Sequence, residues 1–215
     1  MDDPSGTEVD ADCLRHALRG TTLELEAAKD RLTELDAAVG DGDLGITMTR
    51  GSQAIREGLG TEPDLGRILI KAGMDFGNSA PSTMGALLGT ALMRAGKAVQ
   101  GQTNATSQDV LRMVTAAEEG IRERGKAQPG DKTMLDALVP AREALEHALA
   151  RGSNLSEAVQ SAAAAARRGM LATINMEASM GRARWLGGRT IGHQDPGATV
   201  VAFIFASLAR HTKQT

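Results

Sequence analysis

Residues 133–150 read TMLDALVPAREALEHALA. Apolar residues stand at Met134, Leu135, Leu138, Ala141, Leu145 and Leu149. Steps of three and four lay them in one stripe along an α-helix, whereas a half-buried strand would alternate at every second residue. The same spacing recurs on both sides. Upstream, Ser107-Gln108-Asp109-Val110 carries a capping signal and opens a helix to Arg124, apolar at Val110, Leu111, Val114, Ala117 and Ile121. Downstream, Asn154 or Ser156 caps a helix through Ala172, with Thr173 to Ser179 read as a continuation. Toward the N-terminus the pattern gives Asp10–Leu18, Thr21–Val39, Ile46–Leu59, Leu65–Phe76 and Thr83–Ala98. Thr83–Ala98 is small and apolar nearly all round, as a central helix is. A last helix starts after Pro196-Gly197 and ends near Arg210.

No strand alternation exceeds a few residues, and no internal repeat or linker divides the chain. The expected fold class is therefore all-α: about eight or nine antiparallel amphipathic helices, since short loops force neighbours to run antiparallel. Residues 1–215 are expected to form one domain, with residues 1–9 a flexible N-terminus.

Composition narrows the function. The 215 residues hold 24 Lys+Arg against 27 Asp+Glu, one Cys and four aromatics, Phe76, Trp185, Phe203 and Phe205. A net charge of -3 gives no electrostatic footprint for nucleic acid or an anionic membrane. Four aromatics make no stacking platform for single strands. Cys13 alone makes no intramolecular disulfide, so a reducing compartment is expected. The start, Met1-Asp2-Asp3-Pro4, lacks the order of a signal peptide, and the longest apolar stretch, about Ala198 to Ala209, is too short for a span. A cytoplasmic location is the expectation.

Four irregular segments hold the chemistry. In Asp36-Ala37-Ala38-Val39-Gly40-Asp41-Gly42-Asp43-Leu44-Gly45 three carboxylates fall within eight residues at a helix C-terminus, the negative end of its dipole. Gathering them there costs stability unless a cation neutralises them, and hard oxygen ligands suit Mg²⁺. An EF-hand is excluded, because Ile46 occupies the position of its obligatory glycine and no Glu closes the loop. Against the cation stands an acidic, solvated turn.

Gly125-Lys126-Ala127-Gln128-Pro129-Gly130-Asp131-Lys132-Thr133 resembles a Walker A loop with one residue too many. A helix precedes it where a strand is required, so it reads as a helix connection with Asp131 near the next N-cap. Gly181-Arg182-Ala183-Arg184-Trp185-Leu186-Gly187-Gly188-Arg189 continues through His193 to Asp195-Pro196-Gly197. Arginine forks suit phosphate, and a helix opened by Asp195 as N-cap and Pro196 at its first position offers backbone donors to an anion. The alternatives are a long connection, a core-filling Trp185 and a turn histidine at 193. Gly77-Asn78-Ser79-Ala80-Pro81-Ser82-Thr83-Met84-Gly85 opens an apolar helix, as a phosphate-facing turn or a plain N-cap. Loops converging at one end of a bundle would bring cation and phosphate together.

From about Asp10 to Leu208 the chain resembles the nucleotide-binding subunit L of dihydroxyacetone kinases, equivalently the C-terminal DAK2 (DhaL) domain of the one-chain kinases. The resemblance rests on Asp36-x4-Asp41-Gly-Asp43-x-Gly45, on Arg124-Gly125-Lys126-Ala127-x-Pro129-Gly130-Asp131-Lys132-Thr133-Met134, and on Gly181-Arg182-Ala183 with Ile191-Gly192-His193-Gln194-Asp195-Pro196-Gly197-Ala198. It implies a barrel of eight antiparallel helices with the nucleotide across the loops at one end. It implies that Asp36, Asp41 and Asp43 hold two Mg²⁺ against the diphosphate of ADP or ATP. Nucleotide contacts then map onto Leu44, Gly45, Ile46, Thr47, Thr83, Met84, Gly125, Met134, Arg182, Asp195, Pro196 and Gly197. A separate K subunit would hold dihydroxyacetone through its own histidine, so no further catalytic residue is sought here. A phosphocarrier subunit M of the phosphotransferase system, or a transcription regulator, are further partners the family implies. Leu44 replaces the family's usual His, and Pro81-Ser82-Thr83-Met84-Gly85-Ala86 replaces its Gly-Gly-Ala-Ser-Gly-Pro turn. Both changes bear on nucleotide affinity or on the choice of ketose, such as a tetrulose. A fatty-acid acceptor or a regulatory Mg-ADP module are the alternatives.

Overall fold

The computed structural model describes residues 9–212, and the expected mobility of residues 1–8 falls outside them. Nine α-helices carry these residues: α1 (Ala11–Ala27), α2 (Lys29–Val39), α3 (Leu44–Gly58), α4 (Leu65–Ser79), α5 (Thr83–Ala98), α6 (Ser107–Gly125), α7 (Leu135–Ala150), α8 (Leu155–Ala172) and α9 (Pro196–His211). Two residues of β1 (Val9–Asp10) pair antiparallel with β2 (Asn104–Ala105), so Val9 belongs to the folded body and not to a loose terminus.

Most helix starts follow from their caps. Asp10, Asp64, Ser82, Asn154 and Asp195 each accept a hydrogen bond from the backbone N–H three residues on. Thr106, one residue before the expected Ser107, forms a reciprocal capping box with Asp109. The helix expected over Thr21–Val39 is instead divided. Residues 11–27 form one helix through Gly20, and the chain breaks at Ala28. Gly20 is kept helical by packing, since a Cβ there would lie 1.9 Å from His211 Nε2. The new phase buries Thr21, Thr22 and Leu25 and turns Leu23 out to solvent, 55% exposed. Thr173 to Ser179 does not prolong α8: a 3-10 turn over Thr173–Asn175 ends it.

Packing runs in series. α1 touches α3, each helix from α3 to α8 touches the next, and α9 packs on both α8 and α1, while α2 lies against α3 and α9. The interior buries Leu32, Met48, Leu135, Leu145, Leu155 and Val200 at 2% exposure or less. An apolar cavity of about 750 Å³ lies among these helices, lined by residues such as Leu25, Phe76, Leu88, Ile121 and Phe205. No helix among the described residues is long and apolar enough to cross a membrane.

Two close approaches depend on glycine. On α4 and α5, Gly66 faces Gly96 and Gly73 faces Gly89, each so near that a Cβ would come within 2.8 Å of the other's carbonyl oxygen. On α7, Pro140 has no N–H to give the carbonyl of Asp136. α8 backs onto that carbonyl at Gly169, where a Cβ would stand 2.0 Å from Asp136 O.

Candidate functional site

The acidic stretch follows α2 as a tight return. Gly40 N–H closes on the Asp36 carbonyl at 2.6 Å, and Gly42 takes a φ of 74°, which disfavours residues with a Cβ. The return brings one carboxylate oxygen each from Asp36, Asp41 and Asp43 within 4.8 Å of one another. Asp36 is half-buried and also accepts the Leu44 N–H at 3.2 Å, while Asp41 and Asp43 are exposed. Three hard oxygens at this spacing, open to water, fit Mg²⁺, which keeps several waters beside one or two carboxylates. The Arg182 guanidinium pairs with Asp41, so the loop before α9 reaches over the acidic return.

A continuous rim leads from this cluster. Leu44, Gly45, Ile46 and Thr47 form the first turn of α3. The Leu44 side chain is buried in the core, only 4% exposed, so its backbone alone borders the acidic return. Ile46 is exposed. Thr47 Oγ1 lies 3.5 Å from Ser82 Oγ, joining the start of α3 to the start of α5. Ser82 caps Gly85 N–H, with Thr83 exposed beside it. Met84 continues to Gly197: a Cβ on Gly197 would meet Met84 Cε at 3.0 Å and Met134 Cβ at 3.4 Å. Gly125, at the end of α6, packs near Leu87 of α5. The starts of α3, α5, α7 and α9 therefore line one rim with the three aspartates, and their backbone donors and dipoles favour an anion there.

Asp195 caps α9 through Ala198 N–H at 2.6 Å, as its sequence position suggests. Its carboxyl is pushed up to about 7, chiefly by burial and also by nearby Asp136, against the opposing N–H groups of Ala198 and Gly197 and the Lys132 ammonium.

The connection after α6 differs from expectation. Asp131 does not cap α7; its carboxylate accepts Gln128 N–H at 2.8 Å and Ser179 Oγ at 2.6 Å. α7 starts after Met134 without a side-chain cap, and buried Asp136 in its first turn reaches back to the connection, accepting Gly130 N–H at 2.5 Å and Thr133 N–H at 2.7 Å. Lys132 is buried at 4% exposure and turned inward onto backbone carbonyls, which agrees with rejection of a P-loop. Nothing in the local sequence announced that role. Trp185 does not fill the core; it is 75% exposed, with the Arg184 guanidinium 4.5 Å from its ring centroid. Arg184 and Arg189 are exposed.

Comparison with known proteins finds relatives in sequence and in fold. The DAK2 domain model matches residues 38–210. The ADP-binding subunit DhaL of the PEP-dependent dihydroxyacetone kinase of Escherichia coli is 40% identical over 185 residues, 85% of this chain and 88% of that one. The L-erythrulose 1-kinase of Mycolicibacterium smegmatis is 35% identical over 97% of this chain, which spans only 37% of that longer protein. The crystal structure of the dihydroxyacetone kinase of C. freundii with AMP-PNP and Mg²⁺ superposes with a TM-score of 0.69 at 27% identity, covering 92% of this chain and 33% of that one. The DAK2 domain match and the identity to a DhaL subunit over most of both chains place this chain in the DAK2 domain family, among subunits of the DhaL type.

Proposed function

We propose that this chain is the ADP- or ATP-carrying subunit of a dihydroxyacetone-type kinase, donating a phosphoryl group to dihydroxyacetone or a related ketose held on a separate K subunit. The observation that carries this reading is the junction of the aspartate triplet with Arg182 and four helix N-termini on one rim. The series of contacts that returns from α9 to α1 supports the eight-helix barrel, with α2 outside it. Asp36, Asp41 and Asp43 would hold one or two Mg²⁺, which neutralise phosphate charge and orient the diphosphate. The N–H groups at the starts of α3, α5 and α9, including the Thr83-Met84 and Pro196-Gly197 turns, would direct donors at phosphate oxygens. Arg182 would release Asp41 and place its fork on the phosphates. Met84 and Met134 offer a soft apolar wall beside Gly197 for the nucleoside. Phosphoryl transfer needs little beyond such positioning and charge neutralisation.

The acceptor would be held on the separate K subunit that the family resemblance implies. The erythrulose kinases among the relatives favour a tetrulose as second candidate acceptor. The direct test combines calorimetry of ADP binding with and without Mg²⁺ and a coupled assay. The chain, a K subunit, and either ATP or a phosphorylated M subunit with PEP are offered dihydroxyacetone and erythrulose in parallel. Mg-dependent ADP binding and ketose phosphorylation are expected; no nucleotide binding would refute the reading, and binding without transfer to any ketose would leave the chain a regulatory module.

A further inference from the structure

The Lys132 side chain is the most heavily bonded group in the described residues that the proposed reaction does not use. Its Nζ lies 2.9 Å from the carbonyl oxygen of Thr173, 3.0 Å from that of Met176, 2.6 Å from that of Thr190 and 2.6 Å from that of His193. An ammonium has three protons, so four carbonyls at these distances use every one and leave none for a ligand. The four acceptors come from both ends of one excursion. Residues 173–176 leave α8, residues 190–193 return toward α9, and Arg182 lies between them.

The neck of this loop is closed by two further bonds, Gly192 N–H to Ile174 O at 2.7 Å and Asp195 N–H to Thr173 Oγ1 at 2.9 Å. Thr190 Oγ1 donates to Gly187 O and accepts Ala178 N–H within it. Lys132 enters the neck from outside, on the connection between α6 and α7. Its backbone sits at a φ of 59°, uncommon for a residue with a Cβ and kept only where surroundings determine it. Here Asp136 does so by holding the N–H groups of Gly130 and Thr133 on either side. Burying a charge is unfavourable unless it is paired and bonded. Four carbonyls and the nearby Asp195 carboxylate meet that requirement.

We infer that Lys132 is a positioning residue for nucleotide binding: its ammonium closes the neck of the 173–193 loop and thereby sets both Arg182 and the Asp195-Pro196-Gly197 helix start. The inference rests on the proposed nucleotide site. Beyond the neck its ties are exposed ones, Ser179 to Asp131 and Arg182 to Asp41, and Arg184, Trp185 and Arg189 are exposed as well. Its order therefore depends on the neck. A loop freed at its neck costs ordering entropy on each binding event, which lowers affinity without melting the helices.

The test uses Lys132→Met, which keeps length and apolar volume and removes the charge, and Thr173→Val, which loosens the same neck with Lys132 in place. ADP affinity with Mg²⁺ is measured by calorimetry at a temperature well below melting, beside circular dichroism and the rate of tryptic cleavage after Arg182, Arg184 and Arg189. Lys132→Met is expected to weaken ADP by about tenfold or more, to retain its helical spectrum, and to be cut much faster in the loop. Mg-ADP at saturating concentration should restore protection. Thr173→Val should move both readouts the same way by a smaller factor. Unchanged affinity in both variants, with faster cleavage, would overturn the inference and leave Lys132 a purely structural residue. Lost affinity with cleavage unchanged would also overturn it, because Lys132 would then be a direct ligand. Failure of the wild-type chain to bind ADP would instead strike the nucleotide site itself.

Discussion

Replacing Asp41 by Asn tests the metal site most sharply, because charge and geometry there predict opposite effects on stability and on binding. The three carboxylates approach within 4.8 Å, where two unit charges repel by about 0.9 kcal/mol at the dielectric of water. Asp41 faces two such partners, so at the dielectric of water its neutralisation relieves about 2 kcal/mol, less whatever salt screens. The same change removes the Arg182 pair, which is exposed and worth about 0–1 kcal/mol. Without Mg²⁺ the variant should therefore melt within a few degrees of the wild type, and on the higher side. With Mg-ADP the order reverses. At a hundred times its dissociation constant a ligand stabilises by about 2.7 kcal/mol. For a chain of this size that amounts to a rise of roughly 5–11 °C in melting temperature. The wild type should show this rise with Mg-ADP and lose most of it with ADP and a chelator; Asp41→Asn should show little rise in either. Differential scanning calorimetry of both proteins in the three conditions gives the comparison. An equal Mg-ADP shift in wild type and variant would refute the assignment of Asp41 to the metal, and a large fall in the ligand-free melting temperature would refute the charge argument.

Arg182→Ala should weaken ADP by roughly ten- to a hundredfold, the loss of a charge-assisted contact of about 1.5–3 kcal/mol. Arg182→Lys should recover part of it, and Arg184→Ala and Arg189→Ala, on the exposed face of the loop, should change little; equal losses at all three in an ADP titration would mean a diffuse basic patch. The Asp195 carboxyl, raised to about 7 by burial, makes the folded state hold a proton that the unfolded state releases near pH 4. Its contribution to stability is thus full below about pH 4, falls as pH rises and levels off above about pH 7. Urea unfolding should show that decline in the wild type and a flatter profile in Asp195→Asn; the same slope in both would assign it to another group. Gly169→Ala should destabilise by about 1–3 kcal/mol or more, since its methyl would press on the Asp136 carbonyl oxygen, a backbone atom with no rotamer to retreat into. An unchanged urea midpoint would show that α7 and α8 can separate at Pro140 without cost.

The all-α class was legible because helical periodicity is a local property: Met134, Leu138, Ala141 and Leu145 share one face wherever the helix is placed, and all four are buried. Caps are local too, and Asn154, Asp195 and Ser82 act as their positions in sequence suggest. The aspartate triplet was legible for a related reason: residues 36 to 43 are near enough in sequence to meet through their own glycine turn. Everything that joins distant segments was not. Ala28 is a good helix former, yet the chain breaks there, because the packing of α1 against α9 at Gly20 and His211 fixes the phase of one helix and α2 takes another. Leu44 precedes an exposed position and reads as a site residue, but tertiary packing turns its side chain into the core. Lys132 looks like the lysine of a spoiled phosphate loop; only the folded chain brings it to carbonyls 41 to 61 residues away. The sequence by itself therefore determined most of the helices, many of their caps and the meeting of the three aspartates, whose energies depend on neighbours along the chain. The tertiary structure alone decided the phase of α1, the burial of Leu44 and the closure of the Arg182 loop, because those energies arise between segments whose meeting depends on how the whole chain packs.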